Sequence, residues 1–211
     1  MNRKRMIAVA IVLALILLIG GMIAYFTDTD TATNEFTLGD EIEISLSETG
    51  GWTKNATSGK MQNANAQGIH PGTTVDKAPV VTNDSTTTPA YVFAEVIVPC
   101  YDSDDDGVVD AALYTLNTIG SGWNLMSTSA VNTTDKTITY VYNYGDATSM
   151  TALAKEASTP AVFSSVTLKS TITAEQAATA PTNPDIEVNA YGIQTDGYNV
   201  TAPSQIYALL Q

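Results

Sequence analysis

The sequence predicts an all-β protein, an antiparallel β-sandwich with jelly-roll-like connections and a few short helices. Segments that alternate apolar and polar residues, or are rich in β-branched and aromatic residues, recur after the apolar N-terminus. Clusters of Gly, Pro, Asn and Asp separate them. The only cysteine is Cys100, so no intrachain disulfide can form and a buried core must hold the fold. Because Cys100 follows an apolar run, we expect a buried thiol rather than a reactive one.

The N-terminus has the layout of a secretory signal peptide over residues 1–24. Basic residues at positions 3–5 precede an apolar run over residues 6–19, and Ala24 is a small residue at the end of this leader. We therefore expect a signal peptidase to cleave between Ala24 and Tyr25.

The alternative is an uncleaved anchor, because residues 6–26 are long enough to span a bilayer. The abrupt change to polar sequence after the leader favours cleavage. We expect a secreted protein of the extracellular matrix or cell surface, which contacts the membrane only through its uncleaved leader.

Without the leader, residues 25–211 are strongly acidic and contain no arginine. Three of the nine Lys+Arg residues lie in the leader, so six lysines remain against 22 Asp+Glu, a formal charge of −16. Arginine pairs best with phosphates and base edges. This composition argues against nucleic acid and anionic lipid as partners.

Five segments predict strands. Residues 41–47 alternate, with isoleucines and a leucine facing inward and glutamates and a serine facing outward. Residues 90–98 are apolar on both faces, as expected for a central strand. The other strand candidates are residues 136–144, 161–173 and 185–194.

Residues 148–158 and 173–180 predict short helices, and residues 202–210 predict a terminal turn. The second has Thr173 and Gln176 at capping-box spacing.

Residues 25–40 alternate like a strand but lack an apolar face. One side offers Thr27, Thr29, Thr31 and Thr33, and the other offers Asp28, Asp30, Ala32 and Asn34. Neither side would form a core face, so the pairing partner of this segment is an open question.

The strongest local chemical signal is "YDSDDDGVVD". Asp102, Asp104 and Asp106 precede a glycine in the D-x-D-x-D-G spacing that lets alternate carboxylates converge on a hard cation. Asp110 falls at the ninth loop position, but Leu113 stands at the twelfth, where an EF-hand has glutamate. The four aspartates are thus a candidate site for weakly bound Ca²⁺. The alternative is an acidic turn between strands.

Catalytic motifs are missing from the sequence. The single histidine, His70, precedes a Pro-Gly turn pair, so neither an HExxH motif nor a site with two histidines can exist. No GxSxG frame, P-loop or GxGxxG occurs. We expect no catalytic residues and no cofactor other than the candidate Ca²⁺.

Three stretches of the sequence, in their order along the chain, together carry a resemblance to a known family. They are "GGMIAYFTDTDTATNEFTLGDEIEISLSE", "GIHPGTTVDKAPVVTNDSTTTPAYVFAEV" and "IEVNAYGIQTDGY". In this combination the chain resembles the TasA/camelysin family. The resemblance implies a jelly-roll β-sandwich, export through a SipW-type signal peptidase and assembly into extracellular matrix fibres of biofilms. Residues 100–180 lie outside the resemblance.

The resemblance also suggests a partner for the N-terminal segment. In fibrous members the mature N-terminus is an extended arm that adds as a strand to the next subunit. Here the implied polymerisation arm comprises Tyr25, Phe26, Thr27, Thr29, Thr31, Ala32, Thr33 and Phe36. The alternative is an ordinary first strand that folds back onto its own domain, residues 41–211.

The resulting prediction is a secreted, non-enzymatic structural subunit that forms a homo-oligomeric fibre by donor-strand exchange. A monomeric calcium-binding adhesin and a secreted hydrolase are the alternatives. Some members of the family carry a metalloprotease label, but one histidine gives no basis for a zinc site.

Overall fold

The computed structural model describes residues 42–198, 200 and 202–211, so the predicted leader and arm lie outside the described residues. The strands are β1 (Ile44–Thr49), β2 (Thr53–Lys54), β3 (Met61–Gln62), β4 (Thr74–Asp76), β5 (Ala78–Asn83), β6 (Ala90–Tyr101), β7 (Ala111–Ala112), β8 (Tyr114–Ile119), β9 (Trp123–Thr128), β10 (Thr137–Tyr144), β11 (Phe163–Leu168) and β12 (Glu187–Gln194). The helices are α1 (Ala174–Thr179), α2 (Pro203–Tyr207) and a 3-10 turn, Ala64–Ala66. All the sheets are antiparallel, and the predicted all-β class with few short helices is confirmed.

The first layer is built around β6. This strand pairs with β10 on one side and β12 on the other, and β9 adds beyond β10. Most of its residues are buried, because side chains on both of its faces are apolar, as predicted for a central strand. The short β7 pairs with the end of β6 at Cys100 and Tyr101.

The second layer contains β11 between β4 and β8, and the separate pair β1–β5. Residues 159–162 connect these two parts, because Thr159 and Val162 donate backbone hydrogen bonds to the carbonyls of Val81 and Pro79 on β5. Buried side chains of β6, β9 and β10 meet those of β4, β5 and β11 in one core. The domain is therefore held by burial between two layers.

The predicted helix over residues 148–158 is wrong. Leu153 and Ala90 exchange backbone hydrogen bonds of 2.9 and 2.8 Å, and Ser158 bridges to Thr82. The segment bridges to strand edges and turns at residues 155–156, since pairing with strand edges satisfies its backbone better than one isolated helical turn.

The predicted helix over residues 173–180 is confirmed, and the predicted terminal turn contains a short helix. Thr173 and Gln176 form the expected capping box at the start of α1. The second helix, α2, buries Ile206 completely, and Tyr207 beside it donates a hydrogen bond to Glu95 on the central strand. Tyr191 of β12 donates to the same carboxylate at 2.8 Å. Burial, and then its own hydrogen bond to Glu95, raise the pKa of Tyr207.

Strands β1 and β12 approach each other at Gly192. A Cβ atom there would lie 2.3 Å from Cγ1 of Ile44, so only glycine allows this approach. No helix among the described residues is long and apolar enough to cross a membrane.

Candidate functional site

The acidic loop, residues 102–110, connects β6 to β7 and begins with a buried carboxylate. Asp102 is 3% exposed, and its Oδ2 accepts the backbone N–H of Gly107 at 2.7 Å. Gly107 has a φ of 90°, a left-handed conformation that glycine adopts without strain. The turn thus forms around Asp102, and among the described residues its Oδ1 has no hydrogen-bond partner.

The structure brings three of the four predicted aspartates together. One carboxylate oxygen each from Asp102, Asp104 and Asp106 lies within 4.8 Å of the other two, and Asp104 and Asp106 are exposed. The nearby charge of Asp106 is the main cause of the raised pKa of Asp104. This cluster is the one group of three potential metal ligands among the described residues.

Asp110 stands apart from this group and is bonded elsewhere. Its Oδ1 accepts the backbone N–H of Ser103 at 2.9 Å, and its Oδ2 accepts the hydroxyl at 3.0 Å. Asp110 therefore fixes the loop residue between the first two aspartates.

The acidic loop is also attached to α1. The N–H of Asp102 donates to the hydroxyl of Thr179 at 2.8 Å, and Nε2 of Gln176 donates to the carbonyl of Ser103 at 2.8 Å. Lys136 donates to the carbonyl of Thr179 at 2.6 Å. A change in the loop would consequently be transmitted to the helix.

A second site, which we call the groove, lies between the two layers and has a volume of about 840 Å³. Its walls include Val75 and Val166 from one layer and Ile97 and Val188 from the other. Val75 and Val166 also belong to the core, so the groove opens directly onto core side chains. An extended apolar segment could bury its side chains there.

The groove is bordered by two strands that end their sheets. Within the described residues β1 pairs only with β5, and β12 only with β6, and both line the groove. Pro79 and Val81 of β5 direct their carbonyls to residues 159–162 rather than to β1. Leu46 and Glu48 lie opposite them, so their backbone groups also point away from β5, towards the open side.

A buried ion pair in the groove was missed by the sequence reasoning. Lys77 donates to Oε1 of Glu48, with side chains 6% and 8% exposed, and its ammonium lies 4.8 Å from the ring centroid of Trp52. Oε2 of Glu48 has no hydrogen-bond partner within the described residues. The sequence pattern that could have revealed Glu48 is the alternation of inward-facing Ile44 and Leu46, because position 48 is the next residue on the same face.

The remaining candidate residues lie apart from both sites. His70 is exposed, and its backbone N–H donates to the hydroxyl of Thr73 within the predicted turn. Cys100 is completely buried, as predicted, and burial raises the pKa of its thiol to about 11, so it is unreactive at neutral pH. The predicted cleavage residues and polymerisation arm lie outside the described residues.

The donor sets present do not fit a catalytic zinc centre. Such centres use three protein ligands that usually include histidine, and the carboxylate cluster of the acidic loop contains neither His70 nor Cys100. Three carboxylates suit a hard cation instead.

These features define an all-β domain with a carboxylate-lined loop and an open groove between its layers. The family model described as camelysin metallo-endopeptidase matches residues 2–108, half of the chain, and the protein belongs to this family. The predicted relation to TasA/camelysin proteins is thereby confirmed, and members of this family are extracellular or cell-surface proteins. No curated protein and no solved structure matches the chain.

The family match covers β1–β6 and much of the acidic loop but ends before Asp110. The third stretch that resembles the family, residues 186–198, lies beyond it. The groove is therefore built partly from the matched region and partly from β12 outside it.

Proposed function

We propose that this protein is a secreted, non-enzymatic subunit that polymerises when the N-terminal arm of one copy enters the groove of the next. The observation that carries this proposal is the groove itself, with core side chains at its base and two strand edges at its borders. Membership of the camelysin family supports it, because TasA-like relatives are structural.

The arm, residues 25–36, is the occupant that suits this groove. It alternates like a strand but lacks an apolar face of its own, so it gains little by packing on its own domain. In the groove its backbone would bond to the open edge of β1 or β12, as in β-augmentation. The aromatic residues Tyr25, Phe26 and Phe36 would provide apolar contact with the core.

Polar chemistry in the groove supports the same occupant. Oε2 of Glu48 is buried without a hydrogen-bond donor, and an entering strand brings backbone N–H groups and threonine hydroxyls. Pairing would also cover two exposed strand edges, which otherwise promote uncontrolled association.

The first experiment removes the arm. Protein that begins at residue 37 should remain a folded monomer by circular dichroism and ultracentrifugation, and should form no fibres by electron microscopy. Unfolding would identify the arm as a core strand of its own sandwich. Fibres would show that assembly uses another surface.

A peptide of residues 25–36 added to the truncated monomer should bind and raise its Tm. Since each net hydrogen bond contributes roughly 1 kcal/mol, the Thr31→Pro peptide should bind about fivefold more weakly. Equal binding of the two peptides would contradict insertion as a paired strand.

Two variants test which end of the β12-β6-β10-β9 sheet accepts the arm. Val188→Asp places a charge in the groove on β12 and should block peptide binding and fibres. The matched control is Leu125→Asp on β9, the other end of the same sheet, where the side chain is already 48% exposed. If only the Leu125 variant blocks fibres, the groove is not the acceptor.

The family description favours a second candidate function, a metallo-endopeptidase. We propose against it because the clustered ligands are carboxylates only. The mature protein should therefore not cleave an unfolded protein substrate, with or without a chelator. Cleavage that both a chelator and His70→Ala abolish would overturn the non-enzymatic proposal.

A further inference from the structure

Asp102 is the starting point, because it is a carboxylate buried with one oxygen unpartnered. It follows directly on β6, and its Oδ2 is already occupied by the N–H of Gly107. Its Oδ1 has no hydrogen-bond partner within the described residues. Burying a charged oxygen without a donor or a cation is strongly unfavourable, so a cation at this oxygen would relieve that cost.

Asp104 and Asp106 each bring one carboxylate oxygen close to the carboxylate of Asp102. One oxygen of each lies within 4.8 Å of the Asp102 ligand atom. In a calcium shell with oxygens at about 2.4 Å, two oxygens on opposite sides of the ion are about 4.8 Å apart. All three could therefore contact one ion with little movement.

Among the described residues no lysine forms an ion pair with this cluster. The two ion pairs of the described residues, Lys60–Asp185 and Lys77–Glu48, lie elsewhere. Lys136 lines a cavity of about 460 Å³ beside Asp102, but it donates to the carbonyl of Thr179. The charge of the loop is thus left for a soluble cation.

We propose that Asp102, Asp104 and Asp106 bind one calcium ion, with the backbone carbonyl of Val108 as a fourth protein ligand. These residues occupy the first, third, fifth and seventh positions of a D-x-D-x-D-G loop, the order in which such loops present oxygen ligands. Leu113 at the twelfth position is buried and apolar, so water completes the shell. The expected Kd is about 10⁻⁴–10⁻³ M, as in extracellular modules.

Asp110 supports the site without direct contact. Its carboxylate holds both the N–H and the hydroxyl of Ser103, the residue between the first two ligands. It is a positioning residue, and its loss should weaken calcium binding without abolishing it.

Calcium would also order the contact between the loop and α1. Asp102 and Ser103 hold this helix through Thr179 and Gln176. Bound calcium should therefore slow hydrogen exchange in α1 as well as in the loop.

The test is a calcium titration of the mature protein, read by calorimetry and by Tm, in buffer matched for ionic strength with NaCl. At about tenfold excess over Kd, Tm should rise by roughly 3–6 °C. Magnesium at the same concentration should give a smaller rise, since it prefers a tighter octahedral shell. No calorimetric heat and no rise in Tm with 10 mM CaCl₂ would reduce the cluster to an acidic turn.

The variant Asp104→Asn with Asp106→Asn should abolish both signals. These side chains are exposed, so the double variant should fold. The matched control is Asp105→Asn, which removes a neighbouring charge outside the ligand set and keeps a side chain that tolerates the φ of 62° there. Equal loss of binding in the control would overturn the assignment of ligands and leave only a diffuse charge effect.

Discussion

Glu48 in the groove and Asp102 in the acidic loop are both buried carboxylates with one oxygen unpartnered, yet different groups oppose their charge. Glu48 lies in a strand and faces Lys77, which precedes the neighbouring strand β5. Asp102 lies at a strand end, in a loop rich in further acids, and within the described residues its carboxylate accepts one backbone N–H, that of Gly107. In the groove, strand pairing places Lys77 beside Glu48, so a side chain of the protein supplies the cation. Where the acidic loop gathers carboxylates, no lysine of the described residues forms an ion pair with them, and this is the basis of the proposed calcium site.

The largest expected effect on stability comes from breaking the ion pair between Lys77 and Glu48 in the groove. Lys77→Ala leaves Glu48 buried without its cation and should lower the free energy of unfolding by about 3–5 kcal/mol. Tm would then fall by roughly 6–20 °C. Urea and thermal unfolding measure both quantities.

Two controls sharpen that result. The double variant Lys77→Met with Glu48→Leu removes both charges and should recover most of the stability, because the desolvation cost disappears as well. Lys60→Ala breaks an exposed pair with Asp185 on the same groove and should not measurably change stability. A loss in the double variant as large as in Lys77→Ala would trace the effect to packing against Trp52.

An intermediate effect of opposite sign is expected at the acidic loop. With calcium chelated, Asp102→Asn should leave stability unchanged or raise it by up to about 1 kcal/mol. The amide keeps an oxygen for the N–H of Gly107 and offers a donor to the neighbouring carboxylates. Unfolding in EDTA measures this, and a clear loss of stability would mean that the charge of Asp102 is already compensated.

The smallest effect concerns Asp146, a carboxylate that protein donors satisfy completely. It accepts the N–H and hydroxyl groups of Thr148 and Ser149, at 2.7–3.0 Å. Chiefly the N–H of Thr148 lowers its pKa from 3.8 to about 2. A depressed folded pKa stabilises the fold above pH 4, and this stability is lost as the pH falls to about 2.

The Tm difference between wild type and Asp146→Asn should therefore be present at pH 6 and should shrink between pH 4 and pH 2. Thermal scans across that range check it. A difference that stays constant would mean that the amide forms the same bonds as the carboxylate.

Structure could be predicted from the sequence where the residues of a segment themselves determine its conformation or burial. The apolar run of β6 predicted a central strand, and the spacing of Thr173 and Gln176 predicted the start of α1. The D-x-D-x-D-G spacing predicted that Asp102, Asp104 and Asp106 converge. In α1 and the acidic loop the determining contacts lie within a few residues, and β6 was predictable because apolar residues on both of its faces require burial whichever strands pair with it.

Features that depend on long-range pairing could not be predicted. The residues that predicted a helix over 148–158 instead pair with strand edges far away in sequence. The partner of Glu48 follows from the register of β1 against β5, and the groove follows from which strands end their sheets. Two-residue strands such as β2, β3 and β7 are too short to show periodicity.

The register of β1 against β5 has a mechanical consequence. The ladder runs antiparallel from Ile44–Asn83 to Thr49–Ala78, and its hydrogen bonds lie across the strand direction. Residues 159–162 hold β5 from its other side. Tension applied along the chain before Ile42 would therefore load all the bonds of this ladder in shear at once, instead of opening them one after another. This strand pair should resist a force along the strands far better than a force that separates its hydrogen bonds one at a time.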